Sequence, residues 1–227
     1  MKKNGEFAST SKEGGVRLLE KYVKAAMAHL DVKARSEWEL HLVGHSAGSI
    51  FAAHAMEPLL TTGVTLKTLQ FLAPAITVEL FKTQMLKLIQ SGKAPNPTVY
   101  VLDDDTEKND TVWIYGKSLL YLVSNAFERE RGKPILGMER FVRKIPGEGN
   151  KPDAVVAKLL ANSVNRLPSL VVAGHNGDSA SSSASRTHGG FDNDAVTLNS
   201  VLRRILGLKG SDVLPRPFDQ KRDLSYG

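Results

Sequence analysis

The sequence predicts an α/β protein, a three-layer αβα sandwich around a short, mostly parallel sheet of about four strands. Three observations predict it. Short apolar runs alternate with segments of helical periodicity, which argues for strands joined by crossover helices. With 227 residues, 41% hydrophobic and 24% charged, the chain suits one sizeable soluble domain. No internal repeat or linker divides it.

Residues 1–13 read as a polar, flexible leader, with two lysines but no apolar segment of a secretory signal behind them. Val16, Leu19, Val23, Met27 and Leu30 then recur at helical spacing and predict an amphipathic helix over 14–30. "EWELHLVG" is the first strand. The small residues of "SAGSIFAAHAM" suit a helix packed closely on a sheet, with Pro58 at its end. "LKTLQFLAP" (66–74) is the next strand, followed by a helix over 77–92 that Gly92 stops. "TVYVL" (98–102) is the third strand, and "YGKSLLYLVSNAFERERG" a helix closed by glycine.

Residues 132–152, rich in glycine, proline and charge, read as an irregular, lid-like excursion. A short helix over 153–163 leads to a fourth strand, "PSLVVAG" (168–174), and then to a flexible Ser/Gly loop. The last helix, 192–206, carries Leu198, Val201, Leu202 and Ile205 on one face and acids at its N-terminal end, where the helix dipole favours them. One domain over 14–207 and a C-terminal tail over 208–227 complete the organisation.

The formal net charge is +6, but the cations are interleaved with acids and form no nucleic-acid-binding signature. No apolar stretch reaches the roughly 18–20 residues of a membrane span, and the chain holds no cysteine for a disulfide or thiolate site. Cytoplasmic residence fits these features. His41 and His45 stand four apart, but on a strand and without the glutamate of H-E-x-x-H, so no metal site and no cofactor are expected.

The first strand ends in "GHSAG", which places Ser46 between Gly44 with His45 and Ala47 with Gly48. A strand turning abruptly into a helix strains its corner residue, and small neighbours two positions away let the backbones pass. Such a corner lifts a serine hydroxyl clear of the sheet. Serine is a weak nucleophile near neutral pH and needs a base that is itself oriented by an acid. Of six histidines, His29, His41, His45 and His54 lie within helices, the strand or the corner, with His45 in a packing role. His175 and His188 lie beyond the fourth strand. His188, in "RTHGGFDND" before the last helix, is the candidate base. The acid is sought in "VLDDDTEKNDTV", which offers Asp103, Asp104, Asp105, Glu107 and Asp110. Asp110, before Thr111 and Val112, ranks first, and Asp104 and Asp105 stand as alternatives.

The order Ser, Asp, His on successive strand ends resembles the α/β-hydrolase family over residues 14–207, through "GHSAG", the acid loop and "THGGFDND". The resemblance implies a truncated α/β-hydrolase fold, with Ser46 as nucleophile, His188 as base and then acid, Asp110 as orienting acid and the Ala47 N–H as one oxyanion donor. It implies a small-molecule ester as substrate and a short-chain carboxylesterase as function. A non-catalytic hydrolase-like module is the alternative, and a lipase with 132–152 as lid a third. In the family, four further strands precede the elbow strand, and the loop after the third supplies the second oxyanion donor. Here a helix and a polar leader stand in their place. The chain is therefore expected either to be the C-terminal part of a longer hydrolase or to cover the open edge of its elbow strand with a second copy. A homodimer through that edge is the expectation adopted.

Overall fold

The computed structural model describes residues 2–111, 116, 118–175 and 177–224. Val112, residues 115 and 117 at the start of the expected third-strand helix, and the ends of the leader and tail lie outside them.

Four strands form one sheet: β1 (Glu39–His45), β2 (Thr65–Leu72), β3 (Thr98–Val101) and β6 (Leu170–Val172), in the order β1-β2-β3-β6. All three pairings are parallel. Each crossover is made by helices: α4 (Gly48–Leu60) after β1, and α5 (Val78–Phe81) and α6 (Lys87–Gln90), joined by a π-helical turn, after β2. Alternate side chains feed two cores. Phe71, Val99 and Val101 pack with Ile50, Met56 and Phe81 on one face, while Leu72, Tyr100 and Leu102 pack with Phe191 and Val201 on the other. Val201 belongs to α11 (Ala195–Ile205), so helices lie against both faces of a short, all-parallel sheet. His45 pairs with Leu72, Leu72 with Tyr100 and Tyr100 with Val171, so the C-terminal strand ends stand in one row.

The expected leader is a helix, α1 (Lys2–Thr10), packed on α4. Its contact is made by small residues, which carry little hydrophobic signal. A Cβ on Gly5 would lie 3.6 Å from the Phe51 backbone, and one on Gly14, before α2 (Gly15–Ala28), would meet the Ala8 carbonyl oxygen at 2.3 Å. A short α3 (Val32–Ser36) leads into β1.

The acid loop is also helical. In α7 (Asp104–Asn109), Asp103 caps the N-terminus by accepting from the Thr106 N–H at 2.9 Å, and three acids occupy the first turn. The next helix, α8 (Leu119–Leu122) with a π-turn to Phe127, starts from the Ser118 cap.

Residues 132–152 are irregular apart from α9 (Glu139–Val142), but their middle is core and not lid. Ile135, Leu136 and Val142 are fully buried, and Ile135 and Met138 form bridges to Thr77 and Leu102. The burial of apolar residues overrides the loop-like composition. After α10 (Ala154–Leu160), a tight hairpin of β4 (Ser163–Val164) and β5 (Leu167–Pro168) turns through Asn165 and Arg166, both at positive φ. The tail is docked: Asn199 on α11 exchanges two hydrogen bonds with the Phe218 backbone before the final α12 (Gln220–Asp223). Among the described residues, no helix is long and apolar enough to cross a membrane.

Candidate active site

Ser46 sits at the corner between β1 and α4 with φ of +49°, a region that side-chain-bearing residues rarely enter. Four hydrogen bonds hold it there. Its N–H donates to the Leu72 carbonyl at 2.9 Å, and its own carbonyl accepts from Ala75 N at 3.0 Å, Ser49 N at 3.1 Å and Ser49 Oγ at 2.6 Å. The neighbouring strand end is strained too, with Ala73 at φ +40°. The first glycine of the corner is needed for space, because a Cβ on Gly44 would stand 2.9 Å from the Gly48 carbonyl carbon. Gly48 itself faces open space, so its smallness is not demanded by a contact of its own. The N–H of Ala47 has no acceptor among the described residues and lies where α4 begins.

The candidate base arrives from the loop after β6. His188 opens a short 3-10 turn, is 5% exposed, and brings Nε2 to 2.8 Å from Ser46 Oγ. The expected flexible loop before it is pinned by its own serines. Ser183 Oγ bonds to Thr197 Oγ1 at 2.7 Å, and Ser185 Oγ donates to the Thr187 carbonyl at 2.9 Å. Short hydroxyls substitute here for the missing backbone ladder. Burial pushes the His188 imidazole down to about 4, helped by the neighbouring His45 charge and opposed by Asp192. Near neutral pH its ring is therefore uncharged. If Nε2 accepts the serine proton, Nδ1 carries the ring proton, and Nδ1 is buried without a hydrogen-bond partner.

The candidate acids separate cleanly. Asp110 Oδ2 accepts the backbone N–H of His188 at 2.7 Å, so this carboxylate reaches the candidate base residue but not its ring. Asp104 is 3% exposed and belongs to a different network, with Lys108 Nζ at 2.7 Å and the Tyr121 hydroxyl at 3.1 Å. The Asp105 side chain is 84% exposed beside Lys108. Asp103 is the α7 cap. Glu107 is buried, accepts from Ser118 Oγ, and is pushed up to about 7 by burial, with the charges of Asp110, Asp104 and Asp103 adding to the effect. His175 is exposed on the sheet rim.

His45 does more than pack. Its Nε2 lies 2.9 Å from the His188 carbonyl oxygen and its Nδ1 3.0 Å from Asp192 Oδ2, with the two imidazole rings 5.3 Å apart. Both partners are acceptors, so both bonds are made only when His45 carries a proton on each nitrogen. The sequence offered one clue, a histidine directly beside the corner serine, but nothing to say that the loop 143 positions later would fold onto it. Among the described residues no group of three or more His, Asp or Glu is placed to hold a metal ion. Neither family models, nor curated proteins, nor solved structures give a match to this chain.

Proposed function

We propose that the chain is a serine hydrolase of carboxylic esters, a short-chain carboxylesterase on a truncated α/β-hydrolase fold. One observation carries this reading: a strained serine at a strand-to-helix corner has a neutral, buried imidazole nitrogen 2.8 Å from its hydroxyl oxygen. In the reaction, Ser46 Oγ attacks the ester carbonyl carbon while His188 Nε2 takes the hydroxyl proton. The oxyanion that forms faces the Ala47 N–H and the N-terminus of α4, where the helix dipole favours negative charge. His188 then protonates the departing alkoxide, leaving an acyl-serine. Water, deprotonated by the same imidazole, releases the acid and restores Ser46. Asp110 is the orienting acid: its carboxylate holds the His188 backbone, and a turn of that side chain offers an oxygen to Nδ1 as the imidazolium forms.

A second reading, a non-catalytic hydrolase-like module that binds without turnover, is favoured by one feature, the unpartnered Nδ1 of His188. A fluorophosphonate probe separates the two. The hydrolase labels at Ser46, and Ser46→Ala loses both labelling and p-nitrophenyl acetate hydrolysis. An intact protein that neither labels nor turns over is the binding module.

The assembly proposed for the chain is a homodimer. Among the described residues β1 pairs only with β2, which leaves the outer backbone groups of Glu39–His45 without a strand partner there, beside half-exposed Trp38 and Val43. A second copy laid against this edge would satisfy them.

A further inference from the structure

A cavity of about 450 Å³ opens at the end of the sheet away from Ser46, within the size range of small-molecule sites. β2, at Thr68 to Gln70, and the first residue of β3, Thr98, line it from the sheet. The β4–β5 turn and the segment after α11 line it from the other sides. Thr68 precedes Leu72, the partner of His45, by four residues, which is about 13 Å along a strand. The cavity is thus separate from the Ser46–His188 pair.

Its charge is unbalanced. Arg204 lies in its wall, 6% exposed, and every hydrogen bond its guanidinium makes among the described residues goes to a neutral acceptor. These are the carbonyls of Ala180 at 2.6 Å and Pro168 at 2.9 Å, and the hydroxyls of Thr98 and Ser181, both at 2.8 Å. The acid in the wall, Asp178, uses Oδ1 to accept the Ala180 N–H at 2.8 Å and makes no ion pair with Arg204 among the described residues. Exposed Arg166 and Lys209 bring two more cations to the rim. A buried cation without a paired anion is costly, and an anion placed beside it relieves the cost.

Two further features define the ligand. Gln70, 1% exposed, donates from Nε2 to the Val201 carbonyl at 3.2 Å, while its Oε1 is buried with no donor. Buried acceptors are normally satisfied, and Gln70 is among the residues lining the cavity, so a turn of its amide would offer Oε1 to a ligand's hydroxyl. Leu69, Val164, Leu167 and Leu208 give part of the wall an apolar surface, beside the polar Asn96 and Asn165.

We propose that this cavity binds a small organic carboxylate with an apolar body and a hydroxyl donor, of which a medium-chain 3-hydroxy acid is the simplest example. The carboxylate lies towards the Arg204, Arg166 and Lys209 cations, the hydroxyl towards Gln70, and the chain against the leucines. The proposal holds whether or not Ser46 is catalytic.

Calorimetric titration of the full chain with 3-hydroxyoctanoate, octanoate, octanol and inorganic phosphate tests it. The hydroxy acid should bind tightest, octanoate about tenfold more weakly, and octanol and phosphate at least about a hundredfold more weakly. Ser46→Ala should leave the affinity unchanged. Arg166→Ala with Lys209→Ala, both exposed and therefore tolerated, should weaken both acids about tenfold. Gln70→Leu should erase the preference between the acids. The proposal is overturned if no acid binds at millimolar concentration, if octanol matches the acids, if Ser46→Ala abolishes binding, or if the rim double variant binds as well as the parent.

Discussion

Asp110 reaches residue 188 through the backbone: its Oδ2 accepts the His188 N–H at 2.7 Å, while the imidazole Nδ1 of the same residue has no partner among the described residues. One carboxylate thus fixes where residue 188 sits without holding its ring, and under the proposed mechanism that ring would be oriented only during the reaction. Asp110→Asn retains an oxygen that can accept the backbone N–H but loses the charge that would stabilise an imidazolium. Ester turnover should fall by up to about 10⁴-fold, with little change in folding. Asp104→Asn should act the other way round, lowering thermal stability through the Lys108 and Tyr121 network while each folded molecule keeps its activity. Steady-state kinetics beside thermal melts of the two variants decide it; equal turnover losses would remove Asp110 from its proposed role.

His45 is expected to position the base loop from the other side. His45→Ala removes the bond to the His188 carbonyl and should lower kcat by about 10²-fold with KM little changed, since small displacements at a reacting pair are expensive. His45→Gln keeps an N–H donor for that carbonyl and should recover most of the loss. It also removes a charge that depresses the neighbouring imidazole, so the acidic limb of its pH–rate profile should move above the parent's, near 4. A parent-like limb in His45→Gln would show that the two rings do not communicate.

The Ser46 corner and the approach of His188 to it were legible in the sequence because each is a local pattern. An apolar run into G-H-S-A-G reads as a strand feeding a tight turn, and H-G-G before a capped helix reads as a mobile approach. The carboxylate that reaches residue 188 was legible only as one of several, since in "DDDTEKND" the residue that faces the His188 loop depends on how α7 is rotated. That rotation is set by Asp103 capping the helix and by the burial of Asp104 and Glu107, both tertiary facts. Three elements escaped for a shared reason. α1 packs through glycine and small residues, 135–142 looks like a loop, and the serine-rich segment is held by hydroxyls. None has the apolar periodicity that marks an element in sequence.

Two buried groups act oppositely on stability as pH changes. The folded state lowers His188 from 6.5 to about 4, so between those values the unfolded chain takes up a proton that the folded one refuses. This contribution is complete above pH 6.5, amounts to about 3 kcal/mol, and is lost as pH falls towards 4. Glu107 is raised from 4.5 to about 7, so its ionisation opposes folding by about 3 kcal/mol above pH 7 and not at all below 4.5. Over the shared window these two contributions nearly cancel. Glu107→Gln should therefore raise the urea midpoint at pH 8 and make it fall steadily towards pH 4. His188→Gln should show the reverse slope, losing stability as pH rises from 4.5 to 7. Parallel urea titrations from pH 4 to 8 measure both slopes; identical pH dependence in the two variants would contradict the assignment.

The open edge of β1 gives the last expectation. Edge strands in soluble proteins are usually protected by charge, proline or a bulge. β1 has Glu39 near its start and a register shift between Leu40 and His41, but beyond that point it presents Leu42, half-exposed Val43 and Gly44. If two copies join along this edge about a two-fold axis, residues at equivalent positions face each other or lie close across the seam. Val43→Lys would then place like charges together, which destabilises a strand pair. The parent chain should sediment at twice its monomer mass at micromolar concentration, and Val43→Lys at the monomer mass with an unchanged helical signal. The corner serine sits at the end of this same strand, so loss of the seam should also lower ester turnover in proportion to the monomer fraction. A parent chain that sediments as a folded monomer would sink the dimer while leaving the Ser46–His188 chemistry to stand on its own test.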